Sequence, residues 1–226
     1  MKEEEVIALS NLCNFKADNV SPLKQEASGR KYWRVSNTSD SFVLCYLDPS
    51  IGNHLDFIQI TNSLQNNNIN SVNVIYHNDE HGLTLQEDLG DKDLLSILNT
   101  ENKTELIEKS LDLLIQIQNA DIKNIDRFTD NELTDQMYLF KNIFLKNFLN
   151  IEMNSSIDDL ISITMSNLKK HPWLNCHFDY ERRNLILNEH QSITAIDYQD
   201  MKKGPIGIDM AGILIDHYYQ CDDDSI

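Results

Sequence analysis

Paired cysteines are missing from this sequence: Cys13, Cys45, Cys176 and Cys221 lie far apart and form no C-x-x-C pair. That excludes a zinc knuckle and a dithiol redox motif, and isolated thiols fit a reducing compartment. Basic residues are scarce, 19 Lys and Arg against 36 Asp and Glu, leaving a formal charge of -17. Nucleic-acid binding rests on clustered cations that release counterions from phosphates, so no nucleic-acid partner is expected. An anionic membrane surface would also repel the chain, and no apolar run is long enough to span a bilayer. The N-terminal MKEEEVIALS is acidic where a signal peptide is basic. The expected setting is the cytoplasm, with most of the acidity serving as a solvated surface.

What is present reads as a folded protein. An apolar share of 41% and a charged share of 24% sit near globular averages, and 226 residues suffice for one large domain or two small lobes. Val6, Leu9, Leu12 and Phe15, behind a cluster of glutamates, predict an opening helix. YWRV and SFVLCYL, split by the turn-forming NTSDS, predict a β-hairpin from Lys31 to Leu47. Leu55, Ile58 and Leu64 predict a helix, and VNVIY and LTLQE two further strands around HNDEHG. After Gly90 the pattern changes to long amphipathic helices, LIEKSLDLLIQIQ and ELTDQMYLFKNIFLKNFL, which sets the boundary between two lobes near Asp88 to Gly90. HFDYERRNLIL and SITAIDYQD read as two β-rich segments crowded with polar groups. IDMAGILIDHYY reads as a helix that follows a Gly-Pro turn.

The polar crowding has a chemical reading. His177-Phe178-Asp179-Tyr180-Glu181-Arg182-Arg183-Asn184 is followed, after a short hairpin, by Ile196-Asp197-Tyr198-Gln199-Asp200. Phosphoryl transfer needs one carboxylate to orient the attacking hydroxyl and accept its proton, and an Asn with a second carboxylate to hold magnesium against a triphosphate. Asp179, Asn184 and Asp197 supply that set. Four residues between Asp179 and Asn184 let one face the acceptor and the other the metal, the spacing of the kinase catalytic loop. An H-x-D alone would mean no more than a hydrogen-bonded loop histidine beside an exposed aspartate. The N-L-I-L and I-D-Y-Q that follow in order select the kinase reading.

The run HFDYERRNLIL...AIDYQDMKKGPIGIDMAGILIDHYY resembles the aminoglycoside phosphotransferase and choline kinase superfamily. Within it, the Q-D and G-P elements are most similar to the bacterial cell-wall-recycling kinases that phosphorylate N-acetylmuramate and N-acetylglucosamine at the anomeric hydroxyl. The resemblance implies a protein-kinase-like α+β fold of two lobes, a small antiparallel-sheet lobe over residues 1–89 and a mostly helical catalytic lobe over residues 90–226. It implies ATP in the cleft with Mg2+ on Asn184 and Asp197, a sugar hydroxyl activated by Asp179, and a catalytic loop supported by His177 and Asp209. Arg183 would meet a phosphate or a neighbouring carboxylate. Upstream, ASGRKYWRV resembles the nucleotide loop, which assigns Ser28, Gly29 and Arg30 to ATP, and LTLQEDLGD resembles the hinge, which assigns the backbone around Glu87, Asp88 and Leu89 to the adenine.

The chain departs from the family's pattern in several places. Phe178 stands where the pattern has Arg, and Glu181 where it has His. SFVLCYL holds no lysine for the ATP phosphates, a charge that Arg30, Lys31 or Arg34 could supply, and the helix after it offers Asp56 in place of a glutamate. The family's pattern continues through further helices beyond CDDDSI, so the helical lobe is expected to lack them. Rival readings are a kinase for an aminoglycoside or amino alcohol, to which an acidic pocket would suit, and a non-catalytic nucleotide-binding remnant. A zinc hydrolase on His177 and Asp179 lacks further closely spaced histidine ligands. Trp33 and Trp173 read as packing aromatics and His171 and His190 as surface residues, while Asp209 could equally be an ordinary carboxylate at a helix start.

Overall fold

The computed structural model describes residues 1–23, 29–151 and 155–215. Five antiparallel strands, β1 (Asn19–Pro22), β2 (Lys31–Ser36), β3 (Ser41–Tyr46), β4 (Val74–Asn78) and β5 (Leu83–Glu87), form a sheet in the order β1-β2-β3-β5-β4. Successive side chains of a strand point to opposite faces. One face of β2, β3 and β5 carries Trp33, Val35, Leu44, Leu83 and Leu85, which pack against Val6 of helix α1 (Glu3–Leu12) and against Cys13, Phe15 and Ala17 just beyond it. The predicted helical stripe is thus cut short: the helix ends at Leu12, itself 46% exposed, and Phe15 reaches the core from the turn that follows. The opposite sheet face presents Tyr32, Arg34, Val43 and Gln86 to a cleft. Trp33 is buried, as a packing aromatic should be.

Helix α2 (Leu55–Asn66) lies between β3 and β4 in sequence, yet its apolar face belongs to a different core. Phe57, Ile60 and Leu64 join Leu113, Leu114 and Ile117 of α4 (Lys103–Asn119) and Tyr180, Leu185 and Tyr198 further on. Phe57 stacks on Tyr198 at 5.2 Å, and the Tyr198 and Thr61 hydroxyls lie 2.8 Å apart. The short α3 (Leu94–Ile97) is capped by Asp93, whose carboxylate accepts from the Ser96 N–H at 2.8 Å.

The second long amphipathic segment is helical as predicted but not one regular helix. The α-helical turns of α5 (Asp130–Leu139), opened by a capping box of Thr129 and Glu132, widen into a π-helical run over Phe140–Phe148. No residue of that run is buried, and Phe140, Phe144 and Phe148 stack on one another at 5.5 and 5.9 Å. Leu133 of α5 instead packs on Ile161 and Met165 of α6 (Ser156–Leu168) and on Phe128.

The last third holds less strand than its composition predicts. HFDYERR is loop ending in a 3-10 turn over Arg182–Asn184, and of the two predicted segments β7 (Leu185–Leu187) and β8 (Ile193–Ala195) are the parts that pair with each other. The Gly-Pro pair is strand and not turn: β9 (Lys202–Pro205) runs antiparallel to β6 (Trp173–Cys176), with Pro205 opposite Trp173 at the ladder's end, where its missing N–H costs least. Helix α7 (Gly207–Leu214) follows, and HYY lies outside the described residues. Cys13, Cys45 and Cys176 are free and buried. No helix among the described residues is long and apolar enough to cross a membrane.

A side-chain bridge ties the sheet to the segment leaving it. The Arg34 guanidinium on β2 donates to both Asp88 oxygens at 2.7 and 2.9 Å and meets Asp91 at 2.8 Å, and the Ser41 hydroxyl donates to Asp88 at 2.5 Å. Burial alone would raise the Asp88 carboxyl, but Arg34, Ser41 and the Gly90 N–H hold it below its ordinary value of 3.8. The stability this contributes is fully present above the unfolded pKa and is lost as pH falls through the lowered one. Asp88→Asn should therefore flatten the acid limb of the stability profile below about pH 4, as read by thermal melts from pH 2 to 7. An acid limb identical to wild type would show that the bridge contributes nothing.

Candidate active site

The site is built on the turn that leaves β6. Asp209, in the first turn of α7 and 1% exposed, accepts the backbone N–H of His177 at 2.7 Å and of Phe178 at 2.9 Å. Burial pushes its carboxyl up, the two N–H donors pull it back, and the nearby Asp179 charge adds to the rise. Of the two sequence readings of Asp209, the loop brace is the one with matching contacts. His177, also buried, directs Nε2 to the Ile196 carbonyl at 2.9 Å, so this nitrogen carries the proton, while Nδ1 has no partner among the described residues.

Phe178 sits at φ +66°, a left-handed backbone that a bulky side chain rarely adopts. Its ring stacks on Phe128 at 4.6 Å, and a Cβ on Gly204 would come within 2.6 Å of its Cζ. The residue in the pattern's Arg position is therefore a packing anchor, with Gly204 making room for it.

Asp179 follows, exposed at the loop's crest. Asn184, 5% exposed, donates through Nδ2 to the Asp179 carboxylate at 2.8 Å and to the Asp179 carbonyl at 2.9 Å. The Asn184 N–H donates to the Glu181 carbonyl and its own carbonyl accepts the Ile196 N–H, both at 2.9 Å, which brings the Asp179 loop beside Asp197. Asp197 is itself at φ +63°, and its Oδ1 accepts from Gln199 Nε2 at 2.7 Å. Arg183 donates to Glu181 at 2.5 Å, which is one of the two kinds of partner expected for it. Burial raises the Glu181 carboxyl, and Asp179 adds to this while Arg183 opposes it.

A cleft of about 360 Å³ lies between the sheet and this loop. Tyr32, Arg34, Val43 and Gln86 line it from the sheet, Glu87, Asp88 and Leu89 from the segment leaving β5, and Arg183, Asn184, Asp197 and Gln199 from below. Of the remaining site candidates, Asp179 is one hydrogen bond from the lining through Asn184 and His177 is buried behind it. Gly29 and Arg30 are not part of the lining, and Ser28 lies outside the described residues. Arg34, a candidate for phosphate charge, is engaged by Asp88 and Asp91 at the hinge. Gln199 and Gln86 were not singled out from sequence as cleft residues. Gln199 had a visible signal in its Q-D context, whereas Gln86 needed the strand register.

The oxygen donors here suit magnesium. Asn184 spends its amide NH2 on Asp179, which turns Oδ1 free of any donor among the described residues, and Gln199 occupies one Asp197 oxygen only. One carboxylate and one amide oxygen make a hard, incomplete ligand set of the sort that substrate phosphates and water complete. No group of three or more His, Cys, Asp and Glu able to hold a metal occurs among the described residues, which leaves no self-sufficient site of the zinc-hydrolase type there.

Residues 19–225 match the model of the phosphotransferase enzyme family. The chain belongs to that family. It is 24% identical over 208 residues to an N-acetylmuramate/N-acetylglucosamine kinase of Pseudomonas putida, covering 89% of this chain and 61% of that protein. A protein of the same name from Neisseria meningitidis is 23% identical over 215 residues, covering 89% of this chain and 62% of that one. The chain thus spans about three fifths of the length of these relatives. The crystal structure of a spectinomycin phosphotransferase with ADP and spectinomycin superimposes with a TM-score of 0.70 at 16% identity, covering 94% of this chain and 73% of that one, so the fold is shared.

Asp209→Asn should be costly in this family member. A carboxamide offers one acceptor oxygen to two backbone donors, and a buried N–H left unsatisfied costs about 1–3 kcal/mol. Chemical denaturation should show a midpoint lowered accordingly at unchanged slope, and an unshifted midpoint would remove the brace from the fold's stability.

Proposed function

We propose that this chain transfers the γ-phosphoryl group of ATP to a sugar hydroxyl, with the anomeric hydroxyl of N-acetylmuramate or N-acetylglucosamine as acceptor. The observation that carries this reading is the Asp179–Asn184 hydrogen bond at the edge of a cleft that Asn184 shares with Asp197. It puts one exposed carboxylate beside two buried or half-buried oxygen donors, the division of labour that phosphoryl transfer requires. The nucleotide lies between a sheet lobe over residues 1–89 and a catalytic lobe over residues 90–226, with its base against the Glu87–Leu89 backbone.

Asp179 accepts the proton of the acceptor hydroxyl as that oxygen bonds to the γ-phosphorus, and the bond from the γ-phosphorus to the β–γ bridging oxygen breaks to release ADP. Asn184 keeps the Asp179 carboxylate aimed, and His177 and Asp209 hold the loop from behind. Arg183, paired with Glu181, positions the cleft-side wall. Asn184 Oδ1 and Asp197 would hold Mg2+, which when bound supplies charge neutralisation for the phosphates. The amino-sugar acceptor is supported by the names of the curated relatives and by the Gln199 to Pro205 run. A hemiacetal hydroxyl is more acidic than an ordinary alcohol, which suits a single carboxylate base.

Asp179→Ala should leave ATP affinity near wild type and lower turnover by about a hundredfold or more. Asp197→Asn should abolish Mg2+-dependent ATP binding, measured by calorimetry. Equal loss of binding and turnover in Asp179→Ala would move that residue to the nucleotide. Formation of a sugar 1-phosphate, followed by 31P NMR with each amino sugar, kanamycin and choline, tests the acceptor. Turnover on kanamycin or choline with neither sugar consumed would overturn the amino-sugar assignment and leave the phosphotransferase reading standing.

A further inference from the structure

The backbone and the side chain of Asp197 are held by separate devices. The backbone is fixed from both neighbours: the Ile196 N–H donates to the Asn184 carbonyl at 2.9 Å, and Tyr198, 1% exposed, stacks on Phe57 and shares a hydrogen bond with the Thr61 hydroxyl. None of these contacts touches the Asp197 carboxylate. Among the described residues the one hydrogen-bond donor to that carboxylate is Gln199 Nε2, 2.7 Å from Oδ1.

The chemistry of Gln199 suits that place. It is 7% exposed, and the same Nε2 donates to Asp200 Oδ2 at 3.3 Å, so one amide NH2 serves two carboxylates. Ionised carboxylates only accept, so the group between them has to be a donor. A lysine or arginine would donate with a positive charge that repels a divalent cation, whereas an amide donates with none. Gln199 also stands on the boundary of two spaces. It lines the cleft together with Asp197, and it lines a second cavity of about 130 Å³ together with Asp200, Asp56, Lys123, Asp126 and Lys202. Asp197 is not part of the second lining and Asp200 is not part of the first.

We infer that Gln199 is a positioning residue for the metal-binding carboxylate: by holding Asp197 Oδ1 it leaves Oδ2 to the cation, and by holding Asp200 it keeps a second carboxylate on the far side of the cleft wall. The cation site then contains one carboxylate and the Asn184 amide oxygen, which leaves its other positions to phosphate oxygens and water. This rests on the ATP- and Mg2+-dependent reading above. Because Tyr198 and Ile196 fix the backbone without help from Gln199, what the amide adds is the direction of the carboxylate, and its loss should show in metal affinity and not in folding.

The test titrates Mn2+, a paramagnetic probe for the Mg2+ site, into the whole chain with ADP and reads the bound ion by electron paramagnetic resonance. The variants are Gln199→Met, which keeps the volume and loses the donor, Gln199→Ala, Asp197→Asn and the double variant of Gln199→Met with Asp197→Asn. Gln199→Met and Gln199→Ala should weaken Mn2+ binding about 10–100-fold, the usual loss when a partner that orients a metal ligand is removed, with adenosine affinity and thermal midpoint unchanged. In the Asp197→Asn background Gln199→Met should cause no further loss, because the amide acts through that carboxylate. Wild-type Mn2+ affinity in both Gln199 variants, with Asp197→Asn defective, overturns the positioning role and leaves Asp197 at the metal. A fall in adenosine affinity or thermal midpoint matching the fall in Mn2+ binding makes Gln199 a structural residue and also overturns it. Wild-type Mn2+ affinity in Asp197→Asn overturns both this inference and the metal reading it rests on.

Discussion

A single buried carboxylate holds the turn before Asp179 in place. Asp209 accepts two consecutive backbone N–H groups, those of His177 and Phe178, and so fixes the chain direction just before Asp179. The consequence is a backbone that Phe178 would not adopt unaided, and such conformations persist only where surrounding contacts over-determine them. Here the contacts are the Phe128 stack, the space left by Gly204 and the His177 bond to the Ile196 carbonyl. That last bond reaches the residue before Asp197, so the two carboxylate-bearing loops are positioned through one connected set of buried polar groups. Low local dielectric makes such a set strong when complete and costly when broken.

The sheet above it divides its work by face. Trp33, Val35, Leu44, Leu83 and Leu85 close a core with α1, and the alternate residues face the cleft. Because that core is complete without α2, this helix is free to pack into the larger cluster with α4, and Phe57 and Tyr198 stack across the two parts of the chain. The cleft therefore has rigid elements on both sides, with the Arg34–Asp88 bridge at the chain segment connecting them.

Much of this was legible in the residues. The hairpin YWRV–SFVLCYL, the α2 helix and the β4–β5 pair follow from apolar period and turn chemistry, because those forces act over a few residues. The proximity of Asp179, Asn184 and Asp197 was legible for the same reason: a short loop and a tight hairpin bring them together. The π-helical widening after Leu139, the strand character of Gly204–Pro205 and the loop character of HFDYERR were not legible. β9 forms because β6 offers it a partner 26 residues or more away in the chain, which no local propensity records.

The amino-acid sequence by itself determined the family and the order of the chemical groups, since motif spacing and patterning are properties of the covalent chain. Only the tertiary structure decided which charge goes where. Lys31 and Arg34 are equivalent cations in the sequence, and they separate when strand parity turns Lys31 to the core face and Asp88 and Asp91 claim Arg34. Electrostatic roles depend on distance and burial, and both are set by contacts between residues far apart in the chain.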